Sequence, residues 1–447
     1  MTLKALLMPW LAQAITSPGL RELRRRLAEL RRRLLHRPHR IHCYLRLDDP
    51  WSWLLAQVLG DFVRHYRLEM NPQVLLWMDQ QMYPQPEMLA RFAPLDARRL
   101  AEYHGLTFPA EASAPDPEAA FRATRILLRH EHSPDFLALF HELAVALWSR
   151  DDAMLEQLAR QHGMQAADRT RLTLEARRDR FLDVGHYLSA TVHYEGEWYW
   201  SVERLDHLAA RLETLMPQAP AQRPMDYGAP KFLHARTPVA AAAGHTLEFF
   251  FSFRSPYSWV ALERTFRLAD RHGLNLEIRP VLPMVMRGLA VPPAKRMYIL
   301  RDAAREAALH EVDFGRVCDP LGAGVERCMA LWPFAEKEGK LRNWLATAGR
   351  GIWSRGIDAA SDRGLERLCR DAGLEWHRAR RWLDDDGWRT RAEENRAAME
   401  AAGSWGVPTF RFNGETVWGQ DRFAILERLL EQSPSQPVQQ ATQENEG

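Results

Sequence analysis

The chain has 447 residues, of which 46% are hydrophobic and 26% charged, and its formal net charge is +2. This length predicts two or three domains, and the composition is ordinary for a soluble globular protein. The near-neutral charge gives no overall field that would attract nucleic acid. The four cysteines form neither a CxxC pair nor a zinc-ligand spacing, which favours structural thiols, a reducing compartment and no bound metal.

Residues 1–40 form a basic, amphipathic N-terminal arm. Ser17-Pro18 can begin a helix in which leucines recur three and four residues apart among many arginines. We expect this helix to pack on its own domain or on a partner helix, and contact with an anionic membrane surface is the alternative. The apolar segment before Ser17 resembles a signal peptide, but the arginine block after it opposes export, so we expect a cytoplasmic location. No apolar run has the length of a transmembrane helix.

The first half of the chain alternates strands and helices. A strand over 41–47 is followed by an amphipathic helix from Asp49-Pro50, a second strand over 68–76, helices over 88–182 with a break at 110–117, a hairpin over 191–200 and a last helix over 202–215. These elements predict a domain over residues 41–215. Residues 216–245 have the Pro- and Ala-rich composition of a linker, and residues 432–447 that of a disordered tail.

The second half repeats this order over residues 246–431. A buried aromatic strand from Leu247 ends at Ser255-Pro256, where serine is a good N-cap and proline suits the first helical position. Ser255 therefore lies where a central strand turns into a helix N-terminus, which favours anions and thiolates. A second strand over 274–282, helices over 293–403, a hairpin over 409–418 with an Asn-Gly turn and a helix over 420–430 complete the unit.

The two halves match residue by residue at both ends, which indicates an internal duplication. Segment 49–53 aligns with 255–259, and at the other end Ala190 aligns with Pro408 and Arg204 with Arg422, each pair being 218 positions apart. Ser255 of the second half is Asp49 in the first, and Pro408 is Ala190. We therefore predict a degenerate first copy with a structural or docking role, and an unrelated helical domain remains the alternative.

Three segments of the second half carry a family resemblance. They are Ser255-Pro256-Tyr257-Ser258, Gly406-Val407-Pro408-Thr409 and Trp418-Gly419-Gln420-Asp421-Arg422. In this order they resemble the DsbA-like branch of the thioredoxin fold, and within it kappa-class glutathione transferases and 2-hydroxychromene-2-carboxylate isomerases. The resemblance implies an α/β fold of two tandem thioredoxin-like (DsbA-type) domains, each with a helical insert.

The resemblance also implies roles for these residues with glutathione as co-substrate. Ser255 would hold the thiolate, the Val407 backbone ahead of a cis Pro408 would pair with the cysteine part of the tripeptide, and a third group would bind its γ-glutamyl end: Gly419, Gln420 and Asp421. From the residues alone three plainer interpretations stay open. Ser255 could be only an N-cap, Pro408 an ordinary trans proline at an edge strand, and Asp421 a helix-start charge.

The second half departs from the family in the loop after its second strand. There the family supplies a lysine or an asparagine to glutathione, whereas segment 283–293 has no asparagine, so that Arg287 or Lys295 would have to substitute. Tyr257, Arg287 and Tyr298 are candidate substrate contacts, together with three further residues at the start of the helical insert: Arg301, Asp302 and Arg305.

Three functions follow from these observations. The leading hypothesis is a glutathione-dependent transferase or isomerase acting on a small-molecule electrophile, with an oligomer possible. The second is a non-catalytic binding or assembly protein that kept the fold. The third is a disulfide oxidoreductase, which the hydroxyls at 255 and 258 in place of two thiols disfavour.

Overall fold

The computed structural model describes residues 3–78, 82–218, 220, 222–228 and 242–432, with the side chains of 3–6 left aside. Most of the predicted linker and tail lies outside these residues. Helices of the first half are α1 (Leu3–Thr16), α2 (Pro18–Leu34), α3 (Pro50–Tyr66), α4 (Pro86–His104), α5 (Pro117–Arg129), α6 (Phe136–Trp148), α7 (Asp152–His162), α8 (Ala167–Asp183) and α9 (Leu205–Leu215). Helices of the second half are α10 (Pro256–His272), α11 (Pro293–Leu309), α12 (Ala323–Lys337), α13 (Leu341–Trp353), α14 (Asp362–Asp371), α15 (Trp376–Ala379), α16 (Gly387–Ala401) and α17 (Phe423–Glu431).

Each half contributes one four-stranded sheet, and the two sheets have the same topology. The first contains β1 (Arg40–Leu45), β2 (Glu69–Val74), β3 (Thr191–Tyr194) and β4 (Glu197–Trp200), in the order β2-β1-β3-β4. The second contains β5 (Thr246–Phe251), β6 (Asn275–Pro280), β7 (Thr409–Phe412) and β8 (Glu415–Trp418), in the order β6-β5-β7-β8. In both, the first strand is parallel to the second and antiparallel to the third. The predicted α/β fold with two sheet units is confirmed.

Side-chain and backbone hydrogen bonds are repeated as well. A threonine hydroxyl donates to the carbonyl three residues before it in both halves: Thr191 to Leu188 at 2.8 Å and Thr409 to Gly406 at 2.7 Å. The N–H after the hairpin donates back across it in both halves: Ser201 to Ala190 at 2.7 Å and Gly419 to Pro408 at 3.0 Å. These pairs keep the register of 218 positions found in the sequence, so the duplication extends to individual contacts.

Aromatic packing fixes the strand and helix that lead to Ser255. Phe249 on β5 stacks on Phe410 of β7 with ring centroids 5.1 Å apart, and Phe410 in turn contacts Phe423. Trp259 on α10 is 2% exposed, and a Cβ placed at Gly349 of α13 would lie only 2.4 Å from its ring. Glycine at 349 therefore lets the α13 backbone approach the indole, which locks the first turns of α10.

The chain forms two compact units whose limits differ from the sequence repeat. Unit 1 comprises Met1–Pro230, Met284–Asp319 and Ile352–Ile357, and unit 2 comprises Lys231–Pro283, Pro320–Gly351 and Asp358–Gly447. Helix α11, which follows the second strand of the second repeat, therefore packs in unit 1. Its residue Asp302 binds Arg204 of α9 at 2.9 Å in a pair of which each side chain is at most 4% exposed.

The N-terminal arm is oriented opposite to our expectation. Its helix begins as predicted, with the Ser17 hydroxyl accepting the Leu20 N–H at 3.3 Å. The leucines of α2, however, are 40–70% exposed, whereas Arg25 binds Glu197 of β4 at 2.6 Å. The prediction that the leucines pack on the protein is wrong, because the charged face makes that contact instead. Within the described residues, no helix combines the length and apolarity that crossing a bilayer requires.

Candidate functional site

Ser255 lies between a helix N-terminus and the strand-like segment before Pro408. Its Oγ accepts the Ser258 N–H at 3.1 Å, which makes Ser255 the N-cap of α10, and its hydroxyl donates to the Val407 carbonyl at 3.2 Å. The Val407–Pro408 peptide bond is cis. Across the described part of the chain, the Val407 N–H has no hydrogen-bond partner. The structure thus brings two of the three predicted segments into direct contact.

The third segment is attached to the second by the backbone. The Gly419 N–H donates to the Pro408 carbonyl at 3.0 Å. Gly419 has φ +117°, and a Cβ there would lie 2.5 Å from an Asp421 carboxylate oxygen. A Cβ at Gly406 would lie 2.8 Å from the Trp418 indole. Both glycines of the G-V-P-T and W-G-x-D-R motifs are therefore required by space, and at Gly419 also by the backbone angle.

Gln420 and Asp421 are placed differently from the sequence expectation. Helix α17 begins at Phe423, so both residues lie in the loop before it. Gln420 is 1% exposed, and its backbone and side-chain oxygens each accept from Arg264 of α10 at 2.9 Å. The Asp421 side chain is 12% exposed, with one oxygen 3.3 Å from the guanidinium of Arg422. Arg264 therefore fixes this loop from below, and Asp421 offers the more accessible polar side chain.

The predicted substrate contacts are divided between the two units. Tyr257 is half-buried beside Ser255 in unit 2. Arg287 and Tyr298 belong to unit 1, where the Tyr298 ring lies 4.6 Å from that of His186. Burial raises the pKa of Tyr298 well above its usual value. Tyr298 is thus part of the unit 1 core.

Other insert residues considered for the substrate are also engaged in unit 1. The Lys295 ammonium donates to the Met82 carbonyl at 2.8 Å, and burial lowers its pKa to about 8. Arg305 binds Asp302 at 2.7 Å, one turn along the same helix. Contacts of this kind could not be read from a helix taken alone, because the partners lie in the other sequence repeat.

The equivalent position in the first repeat is filled by internal hydrogen bonds. Asp49 is 7% exposed and accepts from the hydroxyls of Ser52 and Ser189, both at 2.7 Å. Burial raises the pKa of Asp49. Ala190 has φ +55° and donates its N–H to Ser52 at 3.0 Å. Ser189, which our sequence analysis did not consider, stands where the second repeat has Val407.

Thiol and metal chemistry find no ready groups in the described residues. All four cysteines are free and buried. Burial raises the pKa of Cys43, Cys328 and Cys369, the last to about 12. In the same part of the chain, no group of three or more His, Cys, Asp or Glu side chains is arranged to hold a metal ion.

Comparisons with known proteins concern the second repeat. Residues 246–431 match the family of DSBA-like thioredoxin domains. The 2-hydroxychromene-2-carboxylate isomerase of Sphingobium xenophagum is 26% identical over 195 residues, which are 41% of this chain and 97% of the isomerase. Glutathione S-transferase kappa 1 of Rattus norvegicus is 26% identical over 216 residues, 44% of this chain and 95% of the transferase. A solved structure of a 2-hydroxychromene-2-carboxylate isomerase is 22% identical with a TM-score of 0.37, covering 41% of this chain and 94% of its own.

Proposed function

We propose that the DsbA-like thioredoxin domain formed by residues 246–431 binds glutathione and uses Ser255 to hold its thiolate for addition to a small electrophile. The observation that carries this proposal is the position of the Ser255 hydroxyl, which caps α10 and donates to the Val407 carbonyl next to cis Pro408. Two kinds of relatives, named as an isomerase and a glutathione transferase, support an enzyme of this family.

Ser255 can stabilise a sulfur anion because its own acceptor is already used. Its Oγ accepts the Ser258 N–H, so the hydroxyl proton is directed elsewhere, at present to the Val407 carbonyl. A glutathione sulfur would replace that carbonyl as acceptor. A hydrogen bond to a charged group contributes about 1.5–3 kcal/mol, which corresponds to roughly one to two pKa units. A thiol with an ordinary pKa near 8.5 would then be largely thiolate at neutral pH, with its proton released to solvent.

The backbone around Pro408 can orient the rest of the tripeptide. The Val407 N–H, which lacks a partner among the described residues, can donate to a carbonyl of the cysteine part in the manner of an added strand. Asp421 can then attract the γ-glutamyl ammonium, while the Gly419–Asp421 backbone approaches its carboxylate. We assign Gln420 a positioning role, since its side chain binds Arg264.

The bound thiolate supports two reactions on a conjugated electrophile. In a transferase, the new carbon–sulfur bond persists and the product is a thioether. In an isomerase, the thiolate adds, a carbon–carbon bond rotates, and the thiolate leaves with no net change in glutathione. A non-catalytic binding protein is the competing function, and the first repeat shows that this fold persists with the equivalent position closed by Ser52 and Ser189.

The test is glutathione binding by calorimetry, with Ser255→Ala compared with Ser361→Ala. Ser361 caps α14 in unit 2 through the same kind of bond, to the Gly364 N–H at 3.1 Å, so both variants lose one cap, worth about 1 kcal/mol. We expect Ser361→Ala to bind like the wild type and Ser255→Ala to bind about tenfold or more weakly, and to lose the ultraviolet absorption of the bound thiolate.

Two results would overturn the proposal. Absence of binding by the wild type at millimolar glutathione would favour the non-catalytic alternative. Equal loss of binding in both serine variants would reduce Ser255 to an N-cap. Thioether formation with chlorodinitrobenzene would then separate a transferase from an isomerase, and reduction of insulin would contradict the exclusion of disulfide chemistry.

A further inference from the structure

Helix α2 is attached to unit 1 by its charged face. Arg25 forms a two-pronged ion pair with Glu197 of β4, with N–O distances of 2.6 and 2.8 Å. Glu29, which is 9% exposed, binds Arg32 at 2.8 Å. Buried or half-buried polar groups thus hold the helix in place, and its orientation does not depend on its leucines.

The leucines form an exposed row on the opposite side. This leucine face consists of Leu20, Leu23, Leu27, Leu30 and Leu34, with exposed fractions of 40%, 50%, 57%, 54% and 70%. At about 100° per residue the five side chains span roughly 80° of the helix, centred opposite Arg25 and Arg32. A helix that docks with its polar face and exposes its apolar face is the reverse of the usual arrangement. The leucine face therefore needs an occupant.

Arginines border the leucine face on both sides. Arg24 and Arg31 are exposed on one side, and within the described ranges neither has a carboxylate partner. Arg26 and Arg33 lie on the other side, where they approach Glu22 and Glu29. The occupant must therefore present both an apolar interior and negative charge at its edge.

We propose that the leucine face docks on an anionic membrane surface, with the leucines among the acyl chains and the bordering arginines at the lipid phosphates. This is the chemistry of interfacial amphipathic helices. Helix α1 adds further exposed apolar side chains, namely Leu7, Trp10 and Leu11 at 52%, 60% and 56%. Tryptophan is typical of membrane interfaces.

A second copy of the chain fits this face poorly. Leucines three and four apart would occupy the a and d positions of a coiled coil, which places Arg24, Arg26, Arg31 and Arg33 at e and g. In a homodimer these arginines would face one another and repel. The row also covers only about two heptads, fewer than the three or four that indicate a coiled coil.

The test is flotation of the full-length chain with vesicles of equal parts phosphatidylcholine and phosphatidylglycerol, against vesicles of phosphatidylcholine alone. We expect binding to the anionic vesicles that weakens with salt, and little binding to the neutral ones. Leu23→Glu/Leu27→Glu and Arg24→Glu/Arg31→Glu should each weaken binding about tenfold or more. Matched controls in unit 1 are Leu172→Glu, at a site 68% exposed, and Arg160→Glu/Arg169→Glu on exposed helix surfaces.

Since the substituted side chains are exposed, the variants should keep the wild-type circular dichroism and melting temperature. Absence of wild-type binding to anionic vesicles at low salt would overturn the proposal. So would equal weakening by the control pairs, or a wild-type dimer that Leu23→Glu/Leu27→Glu converts to a monomer without any vesicle binding. Capture of an acidic helical peptide in place of vesicles would assign the face to a protein partner and likewise overturn it.

Discussion

Asp49 and Ser255 occupy the same position in two copies of one fold, and they differ in what their surroundings leave available. Asp49 accepts from Ser52 and Ser189 and is 7% exposed. Ser255 is half-buried and donates to the Val407 carbonyl, a single bond that an incoming ligand can replace. The comparison teaches that the first copy lost more than a side chain. Its neighbours were rebuilt so that every polar atom at the position has an internal partner.

The same contrast holds for the arginine after the hairpin. Arg422 of unit 2 lies 3.3 Å from its sequence neighbour Asp421. Arg204 of unit 1 instead binds Asp302 and Glu306, both on α11. A helix from the second repeat thus supplies the charge partner for the first, which explains why the compact units cross the repeat boundary.

The largest effect should come from Asp302→Ala. The variant leaves Arg204 and Arg305 buried with fewer counter-charges, and removal of one partner from a buried ion pair costs about 3–5 kcal/mol. Hydrogen exchange measured by mass spectrometry should show faster exchange over β3 and β4 with β7 and β8 unchanged. Asp421→Ala is the matched variant of unit 2 and should cost about 1 kcal/mol or less, since its ion pair is more exposed and longer. Equal costs would remove the distinction between the two arginines.

Lys295→Met tests the buried charge that the second repeat contributes to unit 1. Burial lowers the pKa of Lys295 from 10.5 to about 8. The unfolded chain therefore binds more protons between these pH values, and the stability of the wild type should rise as the pH increases from about 8 to 10.5. By up to roughly 3 kcal/mol at neutral pH, less the lost bond to Met82, the variant should be more stable.

The measurement for Lys295→Met is urea unfolding across this pH range. The gain of the variant over the wild type should shrink as the pH rises and vanish above the unfolded pKa. A gain that does not depend on pH would show that the ammonium is not buried as a charge.

Ser52→Ala and Ser258→Ala compare the hydroxyls one turn into the two equivalent helices. Ser52 donates to Asp49 and accepts the Arg46 and Ala190 N–H groups at 3.1 and 3.0 Å. Ser258 accepts from Ser252 at a long 3.5 Å, because proline at 408 has no N–H to offer. We expect Ser52→Ala to cost about 1–2 kcal/mol more than Ser258→Ala in chemical unfolding. The reverse order would mean that the first copy is not held closed by this hydroxyl.

Local chemistry was sufficient to predict much of unit 2. A buried aromatic strand, the Ser-Pro helix start, the Asn-Gly hairpin and the three short motifs depend on neighbours in sequence, and the structure places β5, α10 and β7 accordingly. The resemblance to DsbA-like domains was also present in these motifs, and the match over residues 246–431 confirms it. The roles of Ser255, Val407 and Asp421 toward glutathione remain predictions.

What the sequence by itself determined is therefore the order of strands and helices, the duplication and the residues that meet around Pro408. Tertiary structure alone decided which unit α11 joins, that Ser189 closes the position of Asp49, and that α2 exposes its leucines. The physical reason is common to all three: each depends on a partner distant in sequence, such as Arg204 for Asp302 or Glu197 for Arg25, and periodicity shows which face of a helix is polar without showing which face finds a partner.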